Sequence, residues 1–199
     1  NGNFRHIVDP SPSYHGVRFY ETFGDFCFSM KLRCETVRDT GACISPFNSF
    51  LLLQGLETLS LRMEKHCQNT LKVARFLHEH PSVNWVRYPG LPDDPSYHLA
   101  QRYLPQGAGS IFTFGVKGGY EAGKAVINNV RIFSHLANVG DARSLIIHPA
   151  STTHQQLSEE DQLASGVTPD LIRLSIGIEN VEDILWDLDR GLRAAAKDS

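Results

Sequence analysis

Apolar residues recur at helical spacing through the second quarter of the chain. Phe47, Phe50, Leu51, Leu56, Leu59, Met63, Cys67, Leu71, Ala74 and Leu77 follow one another with no proline until Pro81. Ser45-Pro46 supplies a start, with serine at the cap and proline in the first turn, where its missing donor does no harm. The pattern predicts one helix over 46–80, and about 34 residues at 1.5 Å each would span roughly 50 Å. That exceeds the width of a small domain, so the helix is expected to bridge two bodies. Gly55 inside it lowers helix preference by up to ~1 kcal/mol against alanine, which marks a kink or a close packing contact.

Beyond Pro81 the pattern shifts to alternating strands and helices. Residues 83–88 read as a strand ended by Pro89-Gly90-Leu91-Pro92, and 96–103 as a short helix. Residues 110–116 are β-branched and aromatic and form the clearest strand, followed by a helix over 120–129 and a strand over 131–136. Residues 133–154 then form an apolar run broken by a Gly-Asp turn and closed by a hydroxyl-rich segment.

The last strand, 171–178, alternates with period two: Ile172, Leu174, Ile176 and Ile178 share one face, and Arg173 points to the other beside Ser175 and Gly177. Those two small side chains are expected to leave open space around the guanidinium, whose fixed fork of donors matches a carboxylate two-to-two. An arginine on a wet face would read the same way. Asn180 with Asp183 three residues on forms a cap signature for a final helix with the stripe Val181, Ile184, Leu185, Leu188 and Leu192. Together these elements predict an α/β fold, an open and mostly antiparallel sheet with helices packed on one face.

Ahead of Ser45 the signal is weaker. Pro10, Pro12 and Gly16 make an extended or turning arm, and Phe23, Phe26, Cys27, Met30, Cys34 and Val37 predict a helix over 21–38.

Composition narrows the function classes. With 199 residues, 41% hydrophobic and 21% charged, the chain is ordinary globular material. A net charge of −3 and a pI near 6.3 leave no basic footprint for nucleic acid or anionic membrane. No membrane-length apolar run and no leader pattern are visible, so a cytoplasmic location is expected. The first residue is Asn, which fits a chain cut from something longer. Cys27, Cys34, Cys43 and Cys67 form no C-x-x-C pair and read as reduced thiols, mostly buried. The nine histidines show no metal-binding spacing.

Four segments in order carry a more specific signal: GLETL with Arg62-Met63 just after it (55–63), YPGLP (88–92), SLIIHPASTTH (144–154) and LIRLSIGIE (171–179). This series resembles the pyridoxal-phosphate (PLP) enzymes of cysteine and methionine metabolism, and within them the O-acetylhomoserine sulfhydrylases. The resemblance covers nearly the whole chain but only the C-terminal half of such an enzyme. The arm and helix before residue 46 favour the sulfhydrylases over the cystathionine γ-synthases and γ-lyases, in which that insertion is shorter.

The resemblance implies the C-terminal part of a fold-type I PLP-dependent transferase. Residues 1–45 would end the large PLP domain, 46–80 would form the inter-domain helix, and 81–199 the small domain. It implies that Arg173 holds the substrate α-carboxylate, with Asn138 contributing by side chain or backbone, although an asparagine at that turn is also common for its tolerance of tight geometry. Ser151, Thr152, Thr153 and His154 are expected to brace the site, and His148 to be structural.

The family's cofactor lysine lies in a Ser-x-x-Lys segment expected before Asn1. None of the six lysines here, Lys31, Lys65, Lys72, Lys117, Lys124 and Lys197, has that context. Pyridoxal 5′-phosphate would therefore be bound by an N-terminal portion of the same enzyme. Relatives are dimers or tetramers, and the arm 1–16 is a candidate interface element. The implied reaction turns O-acetyl-L-homoserine and sulfide into L-homocysteine and acetate. The alternatives are a cystathionine γ-synthase or γ-lyase activity, or a non-catalytic small α/β binding domain.

Overall fold

The computed structural model describes residues 4–197. The chain divides into two compact units, Asn1–Gly55 and Leu56–Ser199.

In the first unit, α1 (Arg5–Val8) precedes a 3-10 turn over Pro12–Tyr14. Then come α2 (Phe19–Phe23), a second 3-10 turn (Gly24–Phe26), α3 (Cys27–Lys31), a π-helical stretch (Leu32–Val37) and α4 (Arg38–Thr40). The single helix expected over 21–38 is thus broken. Gly24 adopts φ 54°, a conformation closed to most L-residues, and ends α2 there. The proline arm folds back on this segment: the Tyr14 hydroxyl donates to the Cys34 carbonyl at 2.7 Å, and the Ser11 hydroxyl to Glu35 at 2.5 Å. Lys31 pairs with the same carboxylate at 2.7 Å, and this bond, with that from Ser11, holds the Glu35 pKa below its ordinary value. Cys27 is buried, Cys34 and Cys67 are half-buried and Cys43 is exposed, so the thiols are free but not mostly buried.

The long helix is also divided, into α5 (Pro46–Glu57) and α6 (Leu59–Glu79). Its start is as expected, with the Asn48 amide donating to Ser45 Oγ at 3.1 Å. The interruption falls at Thr58 (φ −107°, ψ 6°), not at Gly55. Gly55 is helical, with open space where a Cβ would project, so neither a kink nor close packing explains that glycine. Thr58 is β-branched, a poor helix former, and its carbonyl accepts the Arg62 amide at 3.1 Å to open α6.

After α6 come β1 (Val83–Arg87), α7 (Tyr97–Tyr103), β2 (Ile111–Val116), α8 (Gly119–Asn129), β3 (Leu145–Ile147), α9 (Glu159–Ala164), β4 (Leu171–Ser175) and α10 (Val181–Lys197). The four strands form an open antiparallel sheet in the order β1-β2-β4-β3. Alternation decides its apolar face: Phe112 faces Leu174, Phe114 faces Ile172, and Ile146 faces Leu174. These residues join Val73, Ala74 and Leu77 of α6, Val126 of α8, and Ile184, Leu188 and Leu192 of α10 in one buried core. Each large apolar side chain so buried is worth about 1.5–3 kcal/mol against exposure. The fold is therefore the expected α/β arrangement of an open antiparallel sheet with a helical layer on one face. The cap of α10 is present too, with the Glu182 amide donating to Asn180 Oδ1 at 3.1 Å.

The strand expected over 131–136 does not form. Buried Asp187 of α10 accepts the amides of Arg131 at 2.8 Å and Ile132 at 2.7 Å, occupying donors a strand partner would need, and only Ser134 bridges to Leu145. The strand in this region is β3, which begins nine residues after residue 136. Among the described residues, no helix is long and apolar enough to cross a membrane.

Candidate functional site

Arg173 sits at the middle of β4, opposite Thr113 on β2 and Ile147 on β3, on the face turned away from the helices. It is half-buried, and among the described residues no carboxylate lies within ion-pairing distance of it. Arg190 on α10 provides a contrast, since its guanidinium meets Asp187 at 2.7 Å. The recorded polar contact of the Arg173 side chain is a long one, from Nη2 to the Asn138 carbonyl at 3.4 Å. The loop carrying Asn138 thus lies over the guanidinium and leaves most of its donors for another acceptor. Asn138 is exposed, and its Oδ1 accepts the Val139 amide at 2.8 Å, so the backbone of this residue, not its side-chain oxygen, faces the arginine.

One expectation about the surroundings fails. Ser175 is buried, paired across the sheet with Ile111 and Leu145. The space beside Gly177 is filled: a Cβ there would overlap the Glu179 carboxylate and the Ala142–Arg143 backbone. Gly177 is small because other groups come close, not because it leaves room for the guanidinium.

Those groups form a compact polar knot. Glu179 accepts the Ser144 amide at 2.6 Å and the Ser144 hydroxyl at 2.9 Å, while Ser144 Oγ accepts the Gly177 amide at 2.9 Å. The Ile178 amide donates to the Ala142 carbonyl at 2.9 Å. From α6, Asn69 Nδ2 donates to the carbonyls of Gly177 at 3.1 Å and Glu179 at 2.9 Å, and His66 Nδ1 donates to the Ile176 carbonyl at 2.6 Å. Both α6 side chains are buried. The sequence reading singled out none of Glu179, Ser144, Asn69 and His66. The polar pair His66 and Asn69, three apart on the side of an amphipathic helix that further along buries Val73, Ala74 and Leu77, was the available signal.

The hydroxyl-rich segment braces, as expected. Buried His148 lies between Ser151 Oγ, 2.9 Å from Nδ1, and the Pro169 carbonyl, 2.8 Å from Nε2. A carbonyl can only accept, so Nε2 carries the proton and Nδ1 receives the Ser151 hydroxyl. Burial pushes the His148 pKa down, which keeps the ring neutral. Thr152 Oγ1 returns to the His148 carbonyl at 2.8 Å, and Gln162 Nε2 donates to the His154 carbonyl at 2.9 Å.

A family model for Cys/Met metabolism PLP-dependent enzymes matches residues 22–193. The chain belongs to that family. It is 51% identical over 202 aligned positions to an O-acetyl-L-homoserine sulfhydrylase of Leptospira meyeri, covering 97% of this chain and 46% of the relative. It is 50% identical to O-acetyl-L-homoserine sulfhydrylase 1 of Thermus thermophilus, covering 96% of this chain and 45% of the relative. Identity to a homocysteine synthase of Schizosaccharomyces pombe is also 50%, with the same coverage. A Campylobacter jejuni protein described as an O-acetylhomoserine (thiol)-lyase, crystallised with a pyridoxyl-lysine monophosphate, superposes with a TM-score of 0.86 at 43% identity, covering 97% of this chain and 46% of that one. The chain thus spans about half the length of the curated relatives it matches.

The PLP-dependent family implies a lysine that forms an imine with the cofactor. A lysine that does so is normally desolvated to lower its pKa. Lys65, Lys72 and Lys117 are exposed, Lys31 is ion-paired to Glu35, and Lys124 lies 3.1 Å from Glu121. None of these five fits the role; Lys197, whose side chain lies outside the described residues, was the sixth. Among the described residues, then, no lysine suits the imine role, and the guanidinium of Arg173 keeps donors free for an anion.

Proposed function

We propose that this chain is the substrate-carboxylate-binding portion of a PLP-dependent γ-replacement enzyme that converts O-acetyl-L-homoserine and sulfide to L-homocysteine and acetate. The names and identity of its relatives support the reaction. The single observation that carries the assignment within this chain is Arg173, half-buried and without a carboxylate partner among the described residues. A guanidinium removed from water without an anion is poorly compensated, and a substrate carboxylate would complete its pairing two-to-two.

PLP, bound by another portion of the enzyme, supplies the electron sink for bond-breaking beside the amino-acid nitrogen. This chain's share is orientation. Arg173 grips the carboxylate and the Asn138 loop closes over the guanidinium, so the amino acid presents a fixed geometry to the chemistry. In this reading residues 1–45 complete the large domain, 46–80 connect it, and 81–199 form the small domain. The enzyme is a cytoplasmic homo-oligomer.

The test is Arg173→Lys in the intact enzyme that contains this segment. A point charge cannot reproduce the two-pronged contact, and losing one charged hydrogen bond at about 1.5–3 kcal/mol raises KM for O-acetyl-L-homoserine about 10- to 100-fold. KM for sulfide stays where it was. An unchanged KM and kcat for the ester would remove the assignment, and a preference for cysteine over sulfide as nucleophile would move the enzyme to the cystathionine-forming branch.

A further inference from the structure

A carboxylate-binding arginine is only as well placed as the groups around it, and the 138–143 loop has few fastenings of its own. Asn138 Oδ1 accepts the next amide at 2.8 Å and Asp141 Oδ1 accepts the Arg143 amide at 3.0 Å, both local bonds that shape the loop without tying it down. Among the described residues, the hydrogen bonds from 138–143 to other segments are the long contact from Arg173 and the one from the Ile178 amide to Ala142. The next fastening is at Ser144, and there everything converges on one carboxylate. Glu179 takes both the amide and the hydroxyl of Ser144, and Ser144 Oγ in turn takes the Gly177 amide.

The carboxylate is itself held. Asn69 fixes the Glu179 carbonyl from α6, and Gly177 leaves no room for the segment to shift toward Ala142. Hydrogen bonds to a charged acceptor are roughly twice as strong as neutral ones. One end of the loop is therefore set by a charged clasp anchored to α6, and Arg173 lies four residues before Gly177 on the strand that leads into it.

We infer that Glu179 is a positioning residue for carboxylate recognition: through Ser144 it sets the 138–143 loop, and with it the Asn138 carbonyl, against the Arg173 guanidinium. This rests on the reading of Arg173 given above. Glu179 does not touch the substrate. It determines which donors of Arg173 are occupied by the protein and which are presented to the incoming carboxylate.

The experiment uses the intact holoenzyme with Glu179→Ala, Glu179→Gln and Arg173→Lys, and follows KM and kcat for O-acetyl-L-homoserine. E179A raises KM about 10-fold while kcat stays within about 3-fold. E179Q restores KM to within about 3-fold of wild type, because its carbonyl still accepts the Ser144 amide and its amide reaches Ser144 Oγ. The double variant R173K/E179A raises KM no more than about 3-fold beyond the larger single effect, since both act on one contact. A merely structural role would lower the folded fraction and the apparent kcat and leave KM alone.

An unchanged KM in E179A, equal KM increases in E179A and E179Q, or fully multiplicative effects with R173K would each overturn the inference. Should E179A not accumulate as folded protein, Ser144→Ala, which removes the hydroxyl half of the clasp and keeps the amide half, is expected to raise KM about 3-fold, and no change there counts against the clasp. The two levels separate cleanly. If R173K leaves KM unaltered, the Arg173 reading itself fails; if R173K raises KM and E179A does not, only the role of Glu179 fails.

Discussion

In the unit from Leu56 onward, Phe114, Ile172, Leu174, Ile184, Leu188 and Leu192 are fully buried, drawn from two strands and a helix that meet in one core. In the unit before it, Phe19 and Cys27 are the buried apolar residues among those described, while Phe26, Phe28, Phe47 and Phe50 are 54–74% exposed. The same residue types end up in opposite places because their periodicities differ. β2 and β4 of the second unit set Phe112, Phe114, Ile172 and Leu174 on one face and α10 carries a narrow stripe, so each turns a defined side toward the core. Along α5, Phe47, Phe50, Leu51, Leu52, Leu53 and Leu56 point in every direction around the helix, and all six are exposed. A helix apolar all round is stable only inside a larger core. Stability in this chain therefore resides in the second unit.

The largest expected consequence is in proteolysis. Limited digestion of the chain should cut within residues 4–58 first and leave a resistant product that starts near Thr58, because local opening is cheapest where few apolar contacts are buried. Early cleavage within 171–197 would invert the comparison. A pair of substitutions sharpens it. Phe114→Ala, in the core, should lower unfolding free energy by about 3–5 kcal/mol. Phe50→Ala, on exposed α5, should change it by less than about 0.5 kcal/mol; urea unfolding of both variants decides.

The smallest effect concerns pH. His148 is buried with its pKa lowered, so the folded state disfavours the protonated ring while the unfolded chain accepts a proton near pH 6.5. The sign follows: the contribution is complete above about pH 6.5 and declines as pH falls below it toward the lowered folded-state value. His148→Gln should flatten that part of the stability profile between pH 8 and pH 5.5, as read by thermal unfolding. An equal slope in both proteins would show that the ring does not titrate with unfolding.

Elements with a visible period were legible from the sequence. β2, β4, α8 and α10 fall where alternation or a helical stripe places them, and so does the position of Arg173 on the face opposite Ile172 and Leu174. β3 was not legible, because Leu145, Ile146 and Ile147 are buried on both faces and a continuous apolar run carries no period. The false strand at 131–136 fails for a reason located 56 residues away, in Asp187 of α10. α9 was not read from the sequence, although Ser158, which accepts the Asp161 amide at 3.2 Å ahead of three acidic residues in the first turn, is a cap residue. Around Arg173, the reading of Gly177 as open space failed because a glycine is compatible with room and with crowding alike. Only the positions of Glu179 and Ala142 separate the two cases.

The order of the strands bears on how the polypeptide emerges from the ribosome. Among the described residues β4 follows the other three strands in sequence, yet it lies between β2 and β3. Until residues 171–175 have been synthesised, β3 lacks its partner strand and keeps just the bridge from Ser134 to Leu145, and β2 presents a bare edge. A message truncated between residues 147 and 171 yields a product in which β2 and β3 both lack the strand they share, the kind of surface that invites self-association and chaperone capture.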